Sequence, residues 1–516
     1  MTSSTANSSA PETGYRRAAV TLLGIVGAIQ VADPLISSLA LVKASNELHF
    51  TASIMALAAG ISTIALAATC IPGGLIADRL GRRPVLMASL VLAALGQILT
   101  AVSVDSPMYL LGRVITGIAL GVTFGASYGM LKEVAASKSL GPAMALFSVM
   151  NGIVPVIAMI VTGIVVASNW RIAYLILPIV SAVCFPFIPR ILPKVAKVPG
   201  GKIDYWGIAL VAIGVSGLLY GISSASVGLT SPQVYIPVII GLVAFAGFAL
   251  LEKRSANPVF PIRLLAHPAF LGAVIMGVFW NFGAAAISQM LPNIWQYVTH
   301  IPTAVLGLAQ LPASAAGIAG SIVAGNLLGR GMKSRTLAIT GYGFMILGFV
   351  SFTLLDSTSA YLFFVPGLLL AGFGYMMDAT TQGNLFIRLA PAKFYGAVTS
   401  SKTTVGQFGY ALGLTATTAM ISIFTLSSVG KATNGVVAGD GNWNTITAYL
   451  TDGTTSDSTL GAVSHADLAA YYTDAFRLTA LIVAIIIALA GVGMFVLQSS
   501  KKADVPVEEF LGPEPS

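Results

Sequence analysis

The sequence predicts an all-α integral membrane protein with fourteen transmembrane helices, arranged as six, two and six. Hydrophobic residues make up 56% of the chain and charged residues only 9%, whereas about 25% of the residues of a soluble protein are charged. Apolar runs recur along the chain, and a helix of about 20 residues is enough to cross about 30 Å of hydrocarbon. Lipid offers no hydrogen-bond partner to an open backbone, so each run is expected to be helical.

The order of the runs divides the chain into five parts. A disordered cytoplasmic N-terminus over 1–17 precedes an N-terminal six-helix bundle over 18–190. A linker with an inserted helix pair follows over 191–268, then a C-terminal six-helix bundle over 269–498 and a cytoplasmic tail over 499–516. The predicted spans are 18–42, 51–73, 84–104, 107–131, 140–167, 171–190, 205–224, 233–252, 269–298, 303–328, 336–355, 359–387, 394–425 and 475–498.

The distribution of Lys and Arg predicts the orientation. Positive residues collect in cytoplasmic loops, and most of the 27 Lys and Arg residues fall on one side if the N-terminus is cytoplasmic. The Lys and Arg residues that then fall outside are Lys43, Arg171, Lys431 and Arg477. An even number of spans places the C-terminus in the cytoplasm too. The longest loop, at about 426–474, is then extracellular, and its Gly, Asn, Thr and Asp residues favour a mobile polar cap.

A charged loop at 73–86 is predicted between the second and third spans. Four charges occur there within six residues, from Asp78 to Arg83. A weaker copy, with Gly325, Arg330 and Lys333 at matching positions, separates the tenth and eleventh spans. This internal repeat predicts a duplicated six-helix unit, and repeated units are common in transporters.

The chain resembles the major facilitator superfamily. The family's hallmark loop between helices 2 and 3 is matched at Gly74, Asp78, Arg79, Gly81, Arg82 and Arg83. The resemblance covers about residues 18–500. It implies two six-helix halves that rock around a central site, with this loop gating the cytoplasmic mouth. The alternative interpretation is that the arginines only set the topology.

Four features are similar to the fourteen-helix drug:proton antiporters within that family. Asp33 stands at the place of the branch's first-helix aspartate, and Arg113 lies in the fourth-helix pattern. Trp170-Arg171 resembles the entry to helix 6, and Asp204 begins the segment that resembles the inserted helix pair.

Two departures from the branch bear on the direction of transport. The fifth-helix motif associated with efflux keeps only Pro155 and Gly163. An arginine often found in the thirteenth helix is missing from 403–407.

Three charged residues within the spans are candidates for proton coupling. A charged Asp at the centre of a membrane helix costs about 2.5–3.5 kcal/mol on insertion scales, so Asp33 and Asp378 are expected to serve a function. Arg113 is expected to modulate Asp33 through a shared cavity. The alternatives are a kink at Asp33 close to the outer water layer, a buried structural ion pair for Arg113, and a cytoplasmic, solvated or paired position for Asp378, with Arg388 or Lys402 as its partner.

Polar and aromatic residues within the spans predict an apolar substrate cavity with few polar contacts. Such a cavity suits amphipathic or cationic compounds better than sugars, which need many hydrogen bonds. Each residue could equally be a packing or interfacial residue. The candidates are Gln30, Tyr128, Trp280, Asn281, Gln289, Trp295 and Gln382.

Together these features predict a proton-coupled secondary transporter of the plasma membrane that exports amphipathic or cationic small molecules, as in multidrug efflux and antibiotic resistance. Its expected partners are the substrate, protons and lipid, with no nucleic acid, and a monomer is the default for the family. No metal site or cofactor is expected, because the histidines show no ligand spacing, and the chain carries no nucleotide-binding loop. The alternatives are a metabolite-specific exporter, an uptake symporter, a membrane enzyme without a visible catalytic cluster, and a non-transporting sensor.

Overall fold

The structure is a computed structural model, and it describes most of the chain. The described residues are 16–135, 140–194, 205–227, 230–254, 262–391, 395–437, 439–455, 457 and 460–511. The predicted disordered N-terminus and much of the linker lie outside them.

Long helices dominate the described residues, as the composition predicts. Thirteen of the described helical segments are long and apolar enough to cross a membrane. The inserted helix Tyr205–Ser223 is also present, while the count of fourteen spans and the orientation remain predictions. The helices are α1 Arg17–Glu47, α2 Ala52–Leu80, α3 Arg82–Ala101, α4 Ser106–Val134, α5 Leu140–Ser168, α6 Trp170–Ala173, α7 Ile176–Cys184, α8 Ile188–Ile191, α9 Tyr205–Ser223, α10 Pro232–Arg254, α11 Pro268–Tyr297, α12 Leu306–Ala309, α13 Leu311–Gly329, α14 Ser334–Phe352, α15 Val365–Arg388, α16 Tyr395–Ala432, α17 Trp443–Asp452, α18 His465–Ser499 and α19 Val507–Leu511.

The helices pack into two bundles, and α9 of the inserted pair contacts both. In the N-terminal bundle α1 packs on α5, and α4 packs on α2 and α3. The C-terminal bundle repeats this pattern, with α11 on α16, and α15 on α13 and α14. Helix α2 meets α16 across the two bundles, α9 lies against α2 and α16, and α10 packs on α9. The two halves therefore share one pattern of helix contacts.

The predicted loop at 73–86 is almost entirely helical, which corrects the sequence interpretation. Helix α2 continues to Leu80 and α3 starts at Arg82, so only Gly81 separates them. Gly81 has a φ of 101°, a backbone conformation that glycine adopts readily and other residues rarely do. A single glycine thus makes the turn, and the charges before and after it belong to helix ends.

The predicted extracellular loop at about 426–474 is also shorter and more ordered than its composition indicates. Helix α16 runs on to Ala432, α18 already begins at His465, and α17 forms between them. Ser464 begins α18 with a hydrogen-bonded cap, since its hydroxyl oxygen accepts from the backbone N–H of Asp467. Helix α17 packs against α1, α11 and α18, so it covers one end of the bundle. Burial of its apolar face provides order that the polar sequence did not predict.

Helix α17 joins the C-terminal half to the end of α1 and the start of α2. The indole N–H of Trp443, which is 1% exposed, donates to the sulfur of Met55 at 3.1 Å. The hydroxyl of Thr447 donates to the side-chain oxygen of Asn46 at 3.2 Å, and Asn444 contacts the His49 ring at 3.1 Å. We call α17 with these contacts the outer cap, a name that follows the predicted orientation.

The base of the outer cap holds a pair of histidines. The rings of His300 and His465 stack with centroids 5.7 Å apart. Burial and the nearby His465 lower the pKa of His300, so His300 is a neutral ring at neutral pH. The Nε2 ring nitrogen of His465 also lies 3.1 Å from the carbonyl oxygen of Leu450 in α17.

Replacing Trp443 with Ala should destabilise the protein by about 3 kcal/mol or more, because it removes a fully buried indole and leaves a cavity under the cap. Trp206→Ala is the matched control, since Trp206 is 76% exposed on α9. Unfolding of both variants by denaturant in mixed micelles measures the difference. Equal stability of the two variants would show that α17 is not packed as described.

Candidate functional site

Asp33 lies in the middle of α1 with 1% of its surface exposed. Pro34 follows it inside the helix. Proline has no N–H, so the carbonyl of Gln30 loses its normal helical donor there. The sequence alternative of an Asp33 close to the outer water layer is therefore wrong, and Asp33 is a buried carboxylate beside a local break in helical hydrogen bonding.

Three other helices supply the contacts of the Asp33 carboxylate. The Arg113 guanidinium of α4 donates to both of its oxygens, at 2.7 and 2.8 Å. The hydroxyl of Ser62 in α2 donates at 2.7 Å, and the side-chain amide of Gln97 in α3 also donates to it. Bidentate pairs between Arg and carboxylate are among the strongest charge-assisted hydrogen bonds. We call Asp33, Arg113, Ser62 and Gln97 the carboxylate site.

Small residues allow these helices to come close enough for the contacts to form. A Cβ atom on Gly112 would overlap Thr100 of α3, and one on Gly117 would overlap the carbonyl of Ser62 in α2. Small residues at helix contacts let backbones approach within a membrane. The glycines that flank Arg113 therefore position it, together with Gln97 and Ser62, around Asp33.

Two tyrosines extend this polar cluster toward the end of the bundle that holds the outer cap. The hydroxyls of Tyr109 and Tyr174 lie 2.6 Å apart, and Ser37, one helical turn beyond Asp33, is 3.3 Å from the Tyr174 hydroxyl. The Arg113 guanidinium lies over the Tyr174 ring, 5.5 Å from its centroid. Arg113 is thus held from two sides, by the carboxylate and by an aromatic face.

Asp378 occupies a different place, within the contact of α15 with α14. It is completely buried, and among the described residues neither carboxyl oxygen has a hydrogen-bond partner. Its carboxyl group lies so close to Gly341 that a Cβ atom there would overlap it. The alternative of an Asp378 that is solvated, or paired with Arg388 or Lys402, is wrong, because its carboxyl group is buried and pairs with no cation among the residues that the structure describes.

Three of the predicted cavity residues make polar side-chain contacts, while their role in a substrate cavity stays a prediction. The Trp280 indole donates to the side-chain oxygen of Gln382 at 3.0 Å, and its ring lies parallel to that of Tyr375 with centroids 6.4 Å apart. Between the halves, the side-chain amide of Gln407 donates to the side-chain oxygen of Gln30 at 2.7 Å. Gln30 lies one helical turn from Asp33, so this bond links the carboxylate site to the C-terminal half.

The other predicted cavity residues lie in packed surroundings. Asn281 donates to the backbone of Gly277 in its own helix, and Tyr128 stacks on Phe124. Trp295 is completely buried near the C-terminal end of α11, against the rings of Tyr361 and Phe364, which directly precede α15. Gln289 is buried, with no partner for its side-chain amide among the described residues.

The structure describes some side chains of the hallmark motif and not others. Gly74 lies on the side of α2 that packs closely on α4, and Arg82 reaches Gly129 of α4, where a Cβ atom would overlap its guanidinium. Arg83 is partly buried at the start of α3. The side chains of Asp78 and Arg79 lie outside those that the structure describes, so gating by these charges stays a prediction.

The remnants of the fifth-helix motif lie at a contact between the halves. Pro155 is buried inside α5. A Cβ atom on Gly163 would lie 3.0 Å from the carbonyl oxygen of Thr303, and Gly307 of α12 packs equally closely on Met159 of α5. These glycines let the outer part of α5 contact the C-terminal half.

Sequence reasoning missed Ser62, Gln97, Tyr109 and Tyr174. Gln97 is a polar residue in an otherwise apolar span, which is a signal that could have found it. The tyrosines carry no such signal, because an aromatic residue near a span end is ordinarily an interfacial anchor.

Comparison with known proteins agrees with this architecture. The family model described as Major Facilitator Superfamily matches residues 21–414. An uncharacterized MFS-type transporter of Mycobacterium tuberculosis is 25% identical over 70% of this chain, and the chain spans about half of that relative's length, 54%. A multidrug resistance protein B homolog from the same species is 27% identical over 67% of this chain and 66% of its own length.

A further relative and two solved structures show the same likeness. The multidrug transporter protein MdtP of Bacillus subtilis is 24% identical over 67% of this chain and 65% of its own. A bacterial homolog of the human lysosomal transporter Spinster, inward-facing and unoccupied, superposes with a TM-score of 0.61 at 15% identity, covering 93% of this chain and 96% of that one. A peptide transporter crystallised with sulfate gives 0.62 at 11% identity, covering 94% and 98%.

Removing one partner of the buried ion pair should destabilise the protein strongly. Arg113→Met leaves the Asp33 charge buried and should cost about 3–5 kcal/mol, whereas the double variant Asp33→Asn with Arg113→Met should recover much of that loss. Denaturant unfolding of both single variants and the double variant gives the coupling.

An exposed ion pair provides the control for this cycle. Glu47 and Arg171 lie 2.7 Å apart with side chains 52% and 28% exposed. Glu47→Gln should cost about 1 kcal/mol or less, as exposed pairs do. A double variant at the carboxylate site that loses the full sum of both single losses would contradict the described geometry.

Proposed function

The chain belongs to the major facilitator superfamily, and we propose that it is a proton-coupled secondary transporter that exports amphipathic small molecules by alternating access. Members of this family move small molecules across membranes and are not enzymes. The chain is accordingly a multi-pass membrane transporter. The proton, the direction of transport and the cargo are the proposed parts.

The buried carboxylate site carries the proposal. A charge is tolerated within a membrane bundle when it is paired and hydrogen-bonded, and Asp33 is both. Adding a proton to Asp33 would cancel its charge and leave Arg113 without a counter-ion. The four helices that form the site would then favour a different arrangement. Binding of a proton would thus change the free-energy difference between two conformations of the transporter.

The Gln30–Gln407 bond connects that change to the other half of the protein. Gln30 and Asp33 lie on successive turns of α1, next to the break made by Pro34. A shift of α1 on protonation would strain or break the hydrogen bond between the side-chain amides of Gln30 and Gln407 in α16. The named contacts between the halves run from this bond to the outer cap. We therefore propose that this arrangement is closed on the outer side.

Asp378 is the second proposed proton carrier. Its carboxyl group is buried without a partner among the described residues, and an unpaired charge there would be costly. We propose that Asp378 holds a proton in this state and releases it when α14 and α15 separate. In this interpretation the two halves carry one carboxyl group each.

The direction and cargo are supported by the relatives and by the central cavity residues. Two relatives bear multidrug names, and Trp280 and Tyr375 provide apolar surface with few polar groups. The eroded fifth-helix motif, of which Pro155 and Gly163 remain, favours the second candidate, a metabolite-specific exporter or a proton-coupled uptake symporter.

Asp33→Asn should abolish proton-driven transport, because Asn cannot exchange a proton. The assay is a compound-panel susceptibility test in a pump-deleted host, followed by transport of any positive compound into inverted vesicles under an imposed pH gradient. Proton release on addition of compound is measured in the same vesicles.

Asp504→Asn is the control, since Asp504 is exposed on the tail. This variant should transport like the unaltered protein. Proton-driven transport that survives Asp33→Asn would overturn the coupling role, and compound uptake with proton entry would identify a symporter instead.

A further inference from the structure

Lys402 is a cation within the C-terminal bundle that neither the ion pair nor the outer cap uses. It lies on α16, about 10 Å along the helix from its start at Tyr395. It has no hydrogen bond or ion pair to any described residue. Its ammonium group reaches α15 and would lie 3.3 Å from a Cβ atom on Gly383.

Lys402 lies where α16 contacts α11 and α15. Lys402, Gly406 and Gly409 share one face of α16, and the two glycines pack on α11. The side chain of Lys402 reaches toward α15 and remains partly accessible. A lysine that snorkels to the membrane surface would instead extend out of the bundle.

Aromatic groups lie on the two helices that this face of α16 contacts. Trp280 on α11 and Tyr375 on α15 are both partly accessible. The rings of Trp280 and Tyr375 are parallel. The Gln382 side-chain oxygen accepts from the Trp280 indole, and Gln382 directly precedes Gly383, the residue that the Lys402 ammonium group approaches.

The acidic groups within the described spans are not available to a cation. Asp33 is held by Arg113, Ser62 and Gln97. Asp378 faces Gly341 of α14 and is completely buried. Among the described residues Lys402 is therefore left without an acidic partner, and the aromatic surface of Trp280 and Tyr375 lies on the two helices that its face of α16 contacts.

We propose that Lys402 binds the anionic group of an amphipathic substrate, such as a carboxylate or sulfonate, whose apolar part lies against Trp280 and Tyr375. This inference rests on the proposed transport function and changes the expected cargo from cationic to anionic. A charge-assisted hydrogen bond to Lys402 contributes about 1.5–3 kcal/mol, which is about ten- to a hundredfold in affinity.

The test compares two dyes that share a xanthene ring system and differ in charge. Fluorescein is anionic and rhodamine 6G is cationic. Each is titrated by fluorescence polarisation against the full protein in lipid nanodiscs, without any gradient. Lys402→Met should weaken fluorescein binding about tenfold or more, and it should not weaken rhodamine 6G binding.

Two further variants separate charge from packing. Lys402→Arg keeps the cation and should retain most of the affinity for fluorescein. Lys431→Met removes an exposed lysine from the other end of the same helix, and it should bind fluorescein like the unaltered protein.

Several outcomes would overturn the proposal. They are the absence of saturable fluorescein binding, equal affinities of Lys402→Met and Lys431→Met, and an equal loss of both dyes in Lys402→Met. Lys402-dependent binding together with proton-driven transport that survives Asp33→Asn would refute the coupling role alone, so the two proposals fail separately.

Discussion

The arrangement of the N-terminal half depends on the ion pair between Arg113 and Asp33. Each charge would be costly alone inside a membrane bundle, and each is satisfied by the other. The pair needs α1 and α4 in one relative position, and Ser62 and Gln97 add the same requirement for α2 and α3. A single carboxylate therefore fixes the relative positions of four helices, and a change in its charge alters contacts with all of them.

Close glycine contacts determine how far such a change can spread. The glycines of α4 allow it to lie against α2 and α3, and those of α5 and α12 allow the halves to touch. Such interfaces have few alternative packings, so a helix is expected to move as a unit. The hydrogen bond between the side chains of Gln30 and Gln407 would transmit the proposed movement of α1 to the C-terminal half.

The two halves share a helix pattern but carry opposite electrostatic arrangements. The N-terminal half contains a complete ion pair, whereas the C-terminal half contains a buried Asp378 and a partly accessible Lys402 that do not meet. The outer cap adds a further asymmetry, because α17 belongs to the C-terminal half and contacts the N-terminal one. Two halves with the same pattern of helix contacts thus contain different charged groups.

The sequence by itself determined the helical membrane fold and the family, and it identified Asp33 and Arg113 as candidate residues, because hydropathy, short motifs and rare charges within apolar spans are local properties of a chain. It did not determine that the segment at 73–86 is helical apart from Gly81, or that α17 folds over the bundle, since both depend on burial against distant helices. Ser62, Gln97 and the isolation of Lys402 from Asp378 were likewise decided by tertiary structure. Which charges pair and which stay unpaired is a matter of distance between helices, and distance between helices is set only when the whole bundle packs.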